Sequence, residues 1–353
     1  MQKNDLVKFV APPNIRGLYL DAYLREGWFR NSSGMHQSKV LCIDNCVSSI
    51  INIRLVLSEF KPSKSIRKVA KRAHENFQVV VRPFEYTEEK EMLYQEQTSK
   101  FKGYIMESLA EYLNINYEKV FDTYEVCVYD GEILIAFSLF DIGVNSTAGI
   151  FAAIKSEYSN YSLGYYTMYK EVEWSILNHK QFYYPGYVLS NNPAFDYKTR
   201  FKPIQYLQHT GEWVYEKLSS EDDLPAEFIQ KKTHEVVDLL KRDNLDFELA
   251  PYPFYSFSYI SADNNFVRSA LLILFRVDKH IFILEYLYED EQYQFSIIQK
   301  VKNEGLFKIN KEDFDKATQA SSLFMVLSYK WKFKKCDTAK EAVEQVKRCL
   351  KNI

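Results

Sequence analysis

The chain has 353 residues, of which 46% are hydrophobic and 26% charged, so it is long enough for roughly two domains and too apolar to be disordered throughout. A formal net charge of −2 excludes a protein coated in basic residues, but not a local basic patch, because an electrostatic footprint depends on where the charges sit. Five cysteines, an odd number in a long chain, argue against a disulfide framework; the first residues carry no apolar stretch of a signal peptide and the longest apolar run is too short for a membrane span, so the cytoplasm is the expected location.

In chain order, residues 1–35 read as irregular, with "APPN" and "NSSG" as loop signals. "VSSIINIRLVLSEF" (47–60) is rich in Ile, Val and Leu and predicts a strand. Pro62 follows, then Ser63 and Ser65 as helix N-cap candidates. Ile66, Val69, Ala70 and Ala73 recur at helical spacing, and Lys64, Arg67, Lys68, Lys71 and Arg72 fall mainly on the other side. The spacing predicts an amphipathic helix with a basic outer face. Helices are predicted over 87–103 and 104–114. "TYEVCVYDGEILIAFSLFDIG" (123–143) is the clearest hairpin, its two apolar runs joined by Asp130-Gly131, a dipeptide suited to a type I′ turn. A strand (147–156), a helix (162–178) and a strand (181–189) bulged at Pro185-Gly186 complete this part. The acidic "KLSSEDDLP" (217–225) marks a domain boundary. Beyond it a helix (226–243), strands over 270–278 and 279–288 and a terminal helix (338–353) are predicted. The fold class is mixed α/β or α+β, in three segments: 1–60, 61–217 and a C-terminal α+β extension, 218–353, with no assigned role.

Among catalytic and cofactor motifs, the chain has no Walker-type loop, no GxGxxG and no HExxH. Cys42 and Cys46, with His36 near in sequence, fall short of a metal site, because no second cysteine pair stands at ligand spacing.

Four blocks in order carry more information than any of them alone: "GWFRNSSG" (27–34), "FKPSKSIRKVAKR" (60–72), "SLGYY" (162–166) and "YYPGYVLSNNPAFDYKTRFKP" (183–203). The set resembles the aminoacyl-tRNA–protein transferases of the N-end rule, the arginyltransferase family, whose blocks read GWRRSG, F-x-PSKS with a basic helix, YDPDY…SLGxY and YYLGY…P…YK…FxP. The resemblance covers about residues 10–217. It implies a core like that of the GNAT acetyltransferases. It also implies transfer of an amino acid, arginine first and leucine second, from tRNA to acidic protein N-termini, which are thereby marked for degradation. The partners would be aminoacyl-tRNA and acidic N-termini, with no membrane, no metal and no cofactor. The coenzyme A pyrophosphate pattern Q/R-x-x-G-x-G/A is absent, so no coenzyme A is expected.

On this resemblance the basic face of Lys64, Arg67, Lys68, Lys71 and Arg72 would meet tRNA phosphates, with Ser162 and Gly164 at a helix N-terminus. Glu173 would orient or deprotonate the incoming amine, or stand as a solvated helix carboxylate. Asp141 matches a family position, or caps a turn. Tyr166 and Tyr187 would donate to the ester or stack on the terminal adenosine, or pack the core. In "YKTRF", Tyr197, Lys198 and Arg200 would bind a carboxylate or phosphate, or close the loop with a salt bridge. Three features depart from the family. "IKSEY" (154–158) carries Lys155 where YDPDY has its first Asp. The family's metal-linked cysteine set is incomplete. Pro185-Gly186-Tyr187 replaces LGY. A non-catalytic relative that binds tRNA or N-termini, motivated by Lys155, and a coenzyme A-dependent N-acyltransferase are the alternative readings.

Overall fold

The computed structural model describes residues 5–43, 45–100, 106, 108–217, 224–260, 265–301 and 326–351. The N-terminal residues are more ordered than their composition suggests. Strands β1 (Val7–Val10), β2 (Phe29–Asn31) and β3 (Gly34–Ser38) form a small sheet in the order β1-β3-β2, and helix α1 (Leu18–Arg25) lies between β1 and β2. This corrects the expectation of an irregular segment. The strands are three to five residues long, and α1 starts at Gly17 with φ of 55° and no side-chain cap, so none of the usual start signals is present.

A nine-stranded sheet forms the centre. It contains β4 (Val40–Ile43), β5 (Cys46–Val56), β6 (Gln78–Pro83), β7 (Thr123–Asp130), β8 (Ile133–Ile142), β9 (Ser146–Ile154), β10 (Phe182–Leu189), β11 (Ile204–Leu207) and β12 (Trp213–Val214). Its order is β12-β11-β5-β10-β9-β8-β7-β6, with β4 paired to β5. Helices α2 (Lys64–Asn76), α3 (Glu88–Thr98), α4 (Leu109–Leu113) and α5 (Leu163–Leu177) accompany it. Part of the helix predicted over 104–114, and residues 101–103 of the preceding one, lie outside the described residues. Strand β8 is buried from Leu134 to Asp141, as a strand covered on both faces must be. Phe137 and Leu139 pack with Leu93 and Tyr94 of α3, while Ala136 packs with Leu163 and Tyr166 of α5 and Ala70 and Ala73 of α2.

Helix α2 forms as its spacing predicts. Ser63 caps it, its hydroxyl accepting from the Ile66 amide at 3.3 Å, and Ile66, Ala70 and Ala73 are buried. The β7–β8 hairpin also forms, with its turn one residue later than expected. Asp130 pairs with Ile133, so Gly131 and Glu132 are the central residues. Gly131 has φ of 59° and Glu132 is not left-handed, the pattern of a II′ rather than a I′ turn.

Antiparallel β7, β8 and β9, then α5, then β10 running parallel to β9, give the strand order expected of an acetyltransferase-like core. The parallel ladder is short. Phe182–Tyr184 pair with Ser146–Ala148, after which the two strands part. Beyond residue 224, α6 (Pro225–Arg242) precedes a five-stranded antiparallel sheet. Its strands are β13 (Glu248–Pro251), β14 (Leu271–Val277), β15 (His280–Leu287), β16 (Gln292–Lys300) and β17 (Leu327–Lys332). Helix α7 (Phe257–Ile260) and helix α8 (Ala339–Lys351) complete it. One buried cluster joins Val236, Phe275, Phe295 and Val343 of this part to Leu6, Val7, Val40 and Val47. Among the described residues no helix is long and apolar enough to cross a membrane.

Candidate active site

Where β9 and β10 part, a cleft of about 980 Å³ opens over α5. Its position follows from the chain. Ile150 is an extra residue in β9 where the register with β8 shifts, and Pro185-Gly186 shifts the register of β10 with β5. Both irregularities bend the strands away from each other. The cleft therefore lies beyond the carboxyl ends of two parallel strands and beside the N-terminus of α5, where backbone amides are free for a ligand.

The floor is Glu171. It is buried, its carboxylate accepting from the Tyr183 hydroxyl at 2.6 Å and from the Ser138 hydroxyl. Burial pushes its carboxyl up to about 7, against the pull of those two donors. Gly149 keeps this group accessible, since a Cβ there would stand 2.7 Å from the Tyr183 hydroxyl and 3.0 Å from Glu171 Oε2. A carboxyl that changes protonation near neutrality can take a proton from an amine and return it to a leaving alcohol.

Asp141 also lines the cleft, with its Oδ1 engaged and its Oδ2 buried without a hydrogen-bond partner. Arg30 Nη1 donates to it at 2.9 Å and the Thr123 hydroxyl at 2.7 Å, and burial raises its carboxyl despite the guanidinium. The Arg30 guanidinium is itself stacked 4.2 Å over the Phe121 ring. Among the described residues, Glu171 and Asp141 are the only carboxylates in the lining, against the cations Arg30, Lys100, Lys155, Lys198 and Arg200. One wall is apolar, built from Leu20, Leu24, Trp28, Tyr184 and Trp213.

The residues expected from sequence divide between the cleft and elsewhere. Asp141, Tyr187, Ser162, Gly164, Tyr197, Lys198 and Arg200 line it, as does Lys155. The Tyr187 ring packs 5.2 Å from Phe29 and 5.4 Å from Phe195, and burial pushes its phenol up to about 12. Ser162 starts α5 with φ of 57°, and at Gly164 a Cβ would approach Ile154 to 3.1 Å, which accounts for the close seat of helix on strand. Lys64, Arg67, Lys68, Lys71 and Arg72 are exposed on α2, beside the cleft that Ser65 and Val69 of the same helix help to line. Arg72 is partly held, stacking 4.1 Å over Tyr161 and donating to the Asn160 carbonyl at 3.1 Å.

Glu173 and Tyr166 lie off the cleft. Glu173 accepts from Lys170 and, at 3.3 Å, from the Tyr169 hydroxyl. Tyr166 is buried under α2, its hydroxyl 3.4 Å from His74 Nε2. The reason is rotation, because residues two apart on a helix point about 200° from each other. The buried face of α5 runs Leu163, Thr167, Glu171, Ser175 at intervals of four, and that period was the signal for Glu171. Burial holds the Cys42 thiol at about 12 and lowers His36 to about 4, so these are a thiol and a neutral imidazole at neutral pH. Among the described residues no three His, Cys, Asp or Glu side chains are placed to hold a metal ion.

Comparison with known proteins finds relatives over the segment that contains this cleft's strands and helix. The family described as arginine-tRNA-protein transferase, C terminus, matches residues 75–208. An aspartate/glutamate leucyltransferase of Leptospira interrogans is 24% identical over 216 residues, 58% of this chain and 82% of that protein. Enzymes of the same name from Campylobacter jejuni and a Shewanella species are 25% and 26% identical, over 54% and 57% of this chain and 80% and 83% of theirs. Among solved structures, L-PGS from Bacillus licheniformis overlays with a TM-score of 0.36 at 13% identity, over 44% of this chain and 56% of that one. FemX does so with a TM-score of 0.32 at 8% identity, over 50% and 61%. The chain thus spans less than two thirds of either solved structure, and these two likenesses are too slight to bear on function. Residues 75–208, which contain β9, α5 and β10, are thus similar to the aminoacyl-tRNA–protein transferase family.

Proposed function

We propose that the cleft moves an amino acid from aminoacyl-tRNA to the α-amino group of a protein whose first residue is acidic. The observation that carries this reading is the coincidence of the matched segment, 75–208, with the strands and helix that open the cleft over Glu171. In the reaction the amine nitrogen attacks the ester carbonyl carbon. A C–N bond forms, the ester C–O bond breaks, and the ribose oxygen leaves. Glu171 accepts the amine proton and passes it to that oxygen. A free α-amine has a pKa near ~8 and is already partly neutral, so a modest base and good positioning are enough.

Leucine takes precedence over arginine as the donor. The relatives are named leucyltransferases, and the cleft supports the same choice. Its wall of Leu20, Leu24 and Trp28 suits an aliphatic side chain, while both carboxylates in the lining already have partners. The exposed cations of α2 would take the tRNA phosphates. The setting would be the cytoplasm, and the product would carry a new N-terminal residue that marks it for degradation.

Lys155 in the lining favours a second reading, a relative that binds both substrates without turnover. The experiment is transfer of labelled leucine or arginine from charged tRNA to peptides starting with Asp, Glu or Ala. Label from leucyl-tRNA on the acidic peptides alone is the expected result. Retained tRNA binding with no transfer, restored by Lys155→Asp, would replace the first reading by the second.

A further inference from the structure

We propose that Lys198 selects an acidic first residue on the acceptor, its ammonium receiving the side-chain carboxylate while the α-amine faces Glu171. This deepens the transfer reading and rests on it for the reaction, though not for the recognition.

Lys198 lies in the turn after β10 and folds back on that strand. Its ammonium donates to the Tyr187 carbonyl at 3.2 Å and lies 4.8 Å and 5.2 Å from the ring centroids of Phe195 and Tyr187. Among the described residues no carboxylate pairs with it. An ammonium has three donors, so two remain for a ligand. The group is partly buried, and that burial pulls it down to about 8, whereas a bound carboxylate would raise it again.

Two glycines set the geometry. The last parallel pairs are Thr147 with Tyr183 and Ala148 with Tyr184. Gly149 follows on β9 and would carry a Cβ 3.0 Å from Glu171 Oε2, while Gly186, one residue further along β10 after Pro185, would carry one 3.4 Å from Lys198 Nζ. The opening thus holds a carboxylate beside one strand and an ammonium beside the other, with no side chain at either glycine to fill the space. An N-terminal Asp or Glu carries the opposite pair, an ammonium and a carboxylate a few bonds apart. Asn or Gln would leave the lysine without its counter-charge.

The test compares wild type with Lys198→Met on matched peptides starting with Asp and Asn. It measures kcat/KM with leucyl-tRNA and, separately, calorimetric binding of the Asp peptide alone. Wild type should prefer Asp by on the order of 100-fold, and the variant should bring that ratio near one, chiefly through KM. The groups against the Lys198 ammonium are the Tyr187 carbonyl and the Tyr187 and Phe195 rings, and burial is what lowers it. The wild-type ratio should therefore fall as pH passes about 8, where the lysine loses its proton. The Asp carboxylate holds its own peptide amine higher than Asn does, so each rate is referred to the measured neutral fraction of its peptide's amine. If Lys198→Met does not fold, this profile decides alone. A wild-type ratio near one, or a ratio kept in the variant, overturns the proposal. So does an unchanged ratio with weaker tRNA binding, which would give the lysine to the nucleic acid. If wild type transfers nothing, the transfer reading fails, and Asp-peptide binding that depends on Lys198 still upholds the recognition. Binding indifferent to Lys198 sinks it.

Discussion

In the proposed transfer the chemistry falls to Glu171, which is buried on α5, held by Tyr183 and Ser138, and bordered by Gly149. If it accepts the amine proton, transfer rises with pH through about 7, because the carboxyl must first be ionised. Glu171→Gln should lower kcat about 100-fold or more and remove that acidic limb. A variant that keeps both rate and limb would take the base role away from Glu171. The same burial has a stability consequence. A carboxyl whose folded pKa is raised loses stability as pH climbs from its unfolded value near ~4.3 to about 7, and is level beyond. Relative to Glu171→Gln, wild type should lose on the order of 3 kcal/mol across that window, read from urea midpoints at a series of pH values. Parallel stability curves for the two proteins would contradict it.

At the scale of elements, what the sequence makes legible follows its periodicity. Helix α2 and strand β8 have long, regular patterns, and both stand where those patterns put them. Helix α1 and its sheet have neither length nor a polar cap, and only tertiary contact shapes them, with Leu20, Leu24 and Met35 in one buried cluster. The site was legible in part for the same reason. The blocks around Ser162 and Lys198 reach the cleft, but seeing that Glu171 rather than Glu173 faces it requires the rotation of α5, which a motif does not carry. The basic face of α2 gives a test at this scale. Lys64, Arg67 and Lys68 are exposed beside the cleft. Changing all three to Gln should reduce the salt dependence of tRNA binding, log K against log salt, by about 2 to 3. An unchanged slope would make this face solvated surface.

For the whole molecule, the five-stranded part is packed against the central sheet rather than tethered to it. The Ser49 hydroxyl of β5 accepts from the Ala226 amide at 2.8 Å and donates to Glu227 at 2.5 Å, and Gln230 Nε2 donates to the Val47 carbonyl at 2.8 Å. Val40 and Val47 lie in the same buried cluster as Val236 and Leu272. A chain ending at 217 would expose that surface, and should be recovered as aggregate. Soluble, cooperatively unfolding product would show that the two parts are independent. Ser49→Ala should cost about 1–3 kcal/mol by leaving the Ala226 amide and Glu227 without their partner. The measurement that bears most directly on the cleft as the place of reaction is transfer of labelled leucine from leucyl-tRNA to an Asp-starting peptide, by wild type and by Glu171→Gln, with binding of both substrates measured beside it. Label from wild type, and about 100-fold less from a variant that still binds both, is the predicted outcome. No label from either protein, or equal label from both, would contradict it.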